Sequence, residues 1–222
     1  MDQPPVTDPE PGAGQAELRA APRFALMMRA VKLITPSGEF LCIMRDASET
    51  GVKAKLFHAL PKSERYQLEL GNGARHEVDL VWQDNGHAGF RFTAGPVDVR
   101  ELVEEHGDLP RRQLRLKMVR PLSVIVTAGG TAQVGQVQDI AQNGGAVRLE
   151  TMLALRQAVE IEASGIGRVA GRVRWRRGSV HGIVFQQGFA MDQLAVLVAR
   201  LNLGAEGNDS AVARRAGNPH PR

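Results

Sequence analysis

The stretch Asp46-Ala47-Ser48-Glu49-Thr50-Gly51 decides how this chain is read. Glu39-Phe40-Leu41-Cys42-Ile43-Met44-Arg45 runs into it and Val52-Lys53-Ala54-Lys55-Leu56-Phe57 runs out of it, both alternating and strand-like. Asp and Ser favour turns because their side chains bond the nearby backbone, and Gly because it tolerates positive φ. The six residues therefore predict a tight strand-to-strand connection that holds one carboxylate and one hydroxyl at fixed spacing. A single D-x-S-x-x-G says little, since it arises by chance in many chains. This chain writes the arrangement twice.

Asp46 and Gly51 recur 93 positions later as Asp139 and Gly144, with Ala141 where the first copy has Ser48. Trp82, Gly89 and Phe92 recur at the same offset as Trp175, Gly182 and Phe185. Upstream, Arg19-Ala20-Ala21-Pro22-Arg23 returns as Arg111-Arg112-Gln113-Leu114-Arg115, offset by 92, so one residue was gained or lost in the hairpin between. A repeat this long is a whole domain, because solenoid units run about 20–50 residues. Two domains are expected, 18–106 and 107–202. A Pro- and acid-rich leader at 1–17 and a tail at 203–222, loose from about Asn202, flank them and read as disordered.

Each domain reads as five or six short strands separated by Gly/Asn/Asp turns. The expected fold is mainly β: two small antiparallel, six-stranded, Greek-key-like barrels in tandem, each followed by an α-helix. Closure into a barrel also removes exposed strand edges. Trp82 and Trp175 read as core residues on the penultimate strand. Asp192 to Leu201 is apolar around much of its circumference and should pack on a barrel or on another subunit. Val97 to Glu105 is its shorter counterpart and doubles as the connector.

Composition removes several function classes. Aromatic residues are 5% of the chain, too few for a stacking platform on single-stranded nucleic acid. The single cysteine, Cys42, cannot form an internal disulfide, which fits a reducing, cytoplasmic setting. No apolar run is long enough to span a bilayer, and the acidic N-terminus is unlike a signal peptide. The six histidines show no metal-ligand spacing and no phosphate loop of the G-x-x-x-x-G-K-[ST] kind occurs, so an enzyme, a metal site or a cofactor is not expected. Charge is uneven. Residues 18–106 carry twelve cations and twelve anions, whereas 107–201 carry thirteen Lys/Arg against six Asp/Glu. A basic second half suggests an anionic ligand or surface there.

The paired motifs resemble those of the PilZ family of cyclic di-GMP receptors, which place an R-x-x-x-R segment before a D/N-x-S-x-x-G turn. Arg19 and Arg23, then Asp46, Ser48 and Gly51, match in the first repeat. Arg111 and Arg115, then Asp139 and Gly144, match in the second, with Arg112 as an extra cation. The resemblance implies that these ten residues bind cyclic di-GMP, the arginine segment clamping over a barrel face. The chemistry agrees. An Arg fork meets guanine O6 and N7 or two phosphate oxygens, and a carboxylate accepts the guanine N–H groups. The signal would pass to a protein partner of unspecified identity, through domain rearrangement, or through homo-oligomerisation. The alternative is a PilZ-type docking module that has lost its ligand. A nucleic-acid partner is not expected, because the repeated Asp46 and Asp139 oppose it.

Overall fold

The computed structural model describes residues 24–103 and 113–204. Among them are twelve strands and two helices. The first six are β1 (Phe24–Thr35), β2 (Gly38–Ser48), β3 (Gly51–Lys55), β4 (Tyr66–Glu69), β5 (Arg75–Asp84) and β6 (His87–Phe92), followed by the short α1 (Val99–Val103). Then come β7 (Leu116–Ala128), β8 (Thr131–Ala141), β9 (Gly144–Leu149), β10 (Ala158–Ala163), β11 (Gly167–Arg177), β12 (Val180–Phe185) and α2 (Met191–Leu203).

Both sets close into antiparallel barrels. The first has the order β1-β2-β3-β6-β5-β4, with β4 pairing back to β1, and the second repeats it as β7-β8-β9-β12-β11-β10. Two hairpin meanders are thus joined edge to edge, and the β3–β4 and β9–β10 connections must cross a barrel end. Alternation supplies each core. Phe40, Cys42 and Met44 point inward from β2 beside Leu68, Val78 and Phe90, and Val137, Val147, Val173 and Ile183 do the same in the second barrel.

The one-residue difference in offset does not lie at a hairpin tip. Thr35 pairs with Gly38 and Ala128 with Thr131, so both tips have two residues. It lies in a bulge: β1 skips from Ala25 to Arg29 where β7 skips from Lys117 to Leu122. Pro121 sits in the larger gap, where its missing amide hydrogen costs no ladder bond.

A third cluster joins the barrels. Leu41 on the outer face of β2 meets Leu116, Ile140, Leu194, Ala195, Leu197 and Val198. The helix that follows the second barrel therefore packs on the first. Its end is pinned there: buried Asn202 donates from Nδ2 to the Glu39 carbonyl at 2.9 Å, and Gly204 ends the helix at φ 74°. Asn202 and Leu203 thus belong to α2, not to a loose tail. The backbone N–H of Lys117 donates to Glu39 Oε2 at 2.9 Å, and Lys32 bridges Glu39 (3.3 Å) and Glu69 (2.6 Å) beneath it.

Candidate functional site

Four β-bulges build the candidate faces. On β2, Met44 pairs with Ala54 and Asp46 with Lys53, leaving Arg45 as an extra residue. An inserted residue reverses which side chains face the core. Even-numbered positions point inward up to Met44, but beyond the bulge Ala47 is inside and Asp46 and Ser48 turn outward. On β5, Val81 is extra between the pairs Leu80–Phe90 and Trp82–Gly89. Val78 and Leu80 face the core, and Trp82, which unbroken alternation would bury, is turned out and is 42% exposed. Gln138 and Arg174 are the matching bulges of the second barrel.

Trp82 and Trp175 are therefore not the core residues their size suggests. Each indole lies over the glycine across the ladder, Gly89 and Gly182, where a Cβ would strike the ring. The repeated Trp-to-Gly spacing was the sequence signal for this pairing.

Pairing registers set the first face in one row. Asp46 on β2 is opposite Lys53 on β3, Lys53 opposite Gly89 on β6, and Gly89 opposite Trp82 on β5. Three strand spacings make this row about 14 Å long. A carboxylate stands at one end, an ammonium in the middle, an indole at the other, with bare backbone at Gly89. These residues line a shallow recess of about 240 Å³ with Ser48, Thr50, Gly51, Val81 and Arg91. Lys53 Nζ is 6.0 Å from the Trp82 ring centre.

The turn holds its shape through its own atoms. Ser48 pairs with Gly51 across a two-residue tip, and Ser48 Oγ donates to the Gly51 carbonyl at 3.3 Å. Gly51 is not needed for positive φ, since it is absent from the left-handed region. It is needed because a Cβ there would strike the Phe90 carbonyl of β6; Gly144 meets the Ile183 carbonyl in the same way.

The second face differs. The row runs Lys117, Asp139, Ala146, Gly182, Trp175, so alanine replaces the central lysine. Ala141, in place of Ser48, is buried. Two of the sequence candidates meet: Arg115 Nη1 lies 2.6 Å from Asp139 Oδ1. The pair borders a cleft of about 570 Å³ between the barrels, shared with Lys117 and with Lys32 and Glu69 of the first barrel. Arg19, Arg23, Arg111 and Arg112 lie outside the described residues. Among the described residues no group of His, Cys, Asp and Glu could hold a metal, and no helix is long and apolar enough to cross a membrane.

The family model of the PilZ domain matches residues 17–106. Those residues are a PilZ domain within the chain. The match spans the first barrel; the second repeats that barrel's strand order and its bulges on the three matching strands. No curated protein matches the sequence. Among solved structures it is similar to Borreliella burgdorferi PlzA in complex with c-di-GMP, at 12% identity over 78% of this chain and 86% of that one, TM-score 0.33. It is also similar to Escherichia coli YcgR in complex with c-di-GMP (11%, 84% and 88%, 0.30) and to the Bacillus subtilis inhibitor of motility MotI/DgrA (13%, 80% and 98%, 0.33). These are loose whole-chain superpositions.

Proposed function

We propose that the protein is a receptor for cyclic di-GMP, with its first PilZ barrel as the principal site. The observation that carries the reading is the row Asp46–Lys53–Gly89–Trp82, turned outward by two bulges in the barrel the family model covers. Its chemistry suits a guanine nucleotide. The Asp46 carboxylate accepts the N–H groups of a guanine edge, Lys53 supplies charge for a phosphate, and the Trp82 indole offers apolar contact to a base. Arg19 and Arg23, the motif arginines of the preceding segment, would supply guanidinium forks suited to guanine or phosphate oxygens. Gly51 and Gly89 keep Cβ atoms out of the floor.

The second barrel is the weaker site. Losing the serine hydroxyl costs roughly 0.5–1.5 kcal/mol, and Ala146 removes the central cation. Arg111, Arg112 and Arg115 offset part of this. Ligand entering there must exchange the Arg115–Asp139 ion pair for its own contacts, two residues from the Lys117–Glu39 bond that joins the barrels. Binding would then alter the joint and carry the signal onward to a protein effector.

Calorimetric titration of cyclic di-GMP into the full chain, beside Arg23→Ala and Arg115→Ala, tests the reading. Micromolar or tighter binding, lost chiefly in Arg23→Ala, is expected. No heat from folded protein would overturn it and favour the docking-module alternative.

A further inference from the structure

The two barrels form an internal control for one surface. Matched through their bulges, Asp79, Val81 and Gln83 of β5 correspond to Arg172, Arg174 and Arg176 of β11. The fold therefore does not require arginine at these places. In the first barrel the position is neutralised, because Asp79 pairs across the ladder with Arg91 at 3.3 Å. In the second, Arg172 stands opposite Val184, itself 43% exposed. Among the described residues, the ion pairs of this barrel are Arg115 with Asp139 and Arg168 with Glu160 and Glu162. Arg156, Arg172, Arg174 and Arg176 have no carboxylate partner among the described residues.

The loop before β10 adds to the same surface. It is laid against β11 by Arg156 N donating to the Val173 carbonyl at 2.8 Å and Val173 N donating to the Gln157 carbonyl at 3.0 Å. Arg176 Nη1 donates to the Leu153 carbonyl at 3.0 Å, and Arg172 Nη1 to the Arg156 carbonyl at 3.4 Å. Met152 and Leu155 of this loop are 59% and 56% exposed. Arg156 holds φ 64°, a conformation that glycine or asparagine adopts far more readily. An exposed arginine kept at such a place points to use of its side chain.

We propose that Arg156, Arg172, Arg174 and Arg176, with Met152 and Leu155, form a docking surface for a protein partner that presents carboxylates among apolar side chains. Four unneutralised guanidinium groups set the charge of the partner. The interleaved exposed Met and Leu favour a protein over a nucleic-acid backbone, because a phosphate chain offers nothing to bury them, and Arg and Met are enriched where proteins meet. The surface does not depend on whether either barrel holds a nucleotide.

The test uses the full chain and fluorescence anisotropy at physiological salt. One probe is a labelled synthetic peptide of alternating Glu-Glu and Leu-Leu pairs; the other is a 20-base-pair DNA duplex. The variant is Arg156→Gly with Arg172→Asp, which gives the loop a residue suited to its φ and gives β11 the residue the first barrel carries. Its Tm should stay within about 2 °C of the parent. The proposal expects saturable peptide binding that weakens about tenfold in this variant, while cyclic di-GMP titrates unchanged. Absent peptide binding, or binding indifferent to the substitutions, overturns it. Duplex binding at least as tight as peptide binding overturns it in favour of nucleic acid.

Discussion

Single residues carry consequences their types alone do not announce. Gly51 is fixed by the Phe90 carbonyl beside it, a backbone atom that cannot swing away. Gly51→Ala should therefore destabilise by about 1–3 kcal/mol, through displacement of β6 rather than a strained φ, measurable by urea unfolding. Glu69 is a second case. Burial pushes its carboxyl up, but its bonds to Lys32 and Arg75 outweigh that and hold it below its ordinary value of 4.5. A depressed carboxyl contributes stability above its unfolded value that is lost as pH falls through the folded one. Stability of the parent should thus decline as pH drops below about 4.5, and Glu69→Gln should flatten that decline; unfolding midpoints between pH 3 and pH 7 would show it. Cys42 illustrates the opposite limit. Burial alone pushes its thiol up to about 12, so it should resist alkylation at pH 8 until the chain is unfolded.

At the scale of strands, bulges decide what faces solvent. Trp82 follows the bulge at Val81 and packs on Gly89 outside the barrel. Trp82→Ala should then cost less than the roughly 3–5 kcal/mol of a core aromatic truncation, and acrylamide should quench its emission in the native state. The two barrels, their six strands and the turn at Ser48–Gly51 were legible in the alternation and in the 93-residue repeat. The outward tryptophans were not, because period-2 alternation carries no mark for one inserted residue. Val78, Leu80 and Trp82 read as one inward face until the pairing of Leu80 with Phe90 and of Trp82 with Gly89 exposes the extra Val81. The reason for Gly51 was hidden similarly, since β6 comes to lie beside β3 only when the barrel closes. Of the candidate site, Asp46, Ser48 and Gly51 were readable from the motif, whereas Lys53 and Trp82 joined it only through register.

At the scale of the molecule, α2 makes one body of two barrels. Leu194 and Val198 reach from the end of the second domain to Leu41 on the first. Leu194→Ala should cost about 2–5 kcal/mol and lower the stability of both barrels together, seen as one shifted transition rather than two. The helix explains why Leu41, on the outer side of β2, is apolar at all. The same joint places Glu39 between Lys32, Lys117 and Asn202, so a shift at the Arg115–Asp139 pair has a short path to the first barrel.

The central claim is that the bulged row of the first barrel is where cyclic di-GMP binds. It is tested most directly in a Trp175→Phe chain, where Trp82 is the sole indole. Titrated with cyclic di-GMP, its emission should change saturably, with the same micromolar or tighter affinity that calorimetry is expected to give. Asp46→Ala in the same background should weaken that response by about tenfold or more. Calorimetric binding with no change in Trp82 emission, or a response that Asp46→Ala leaves intact, would place the ligand elsewhere and contradict the claim.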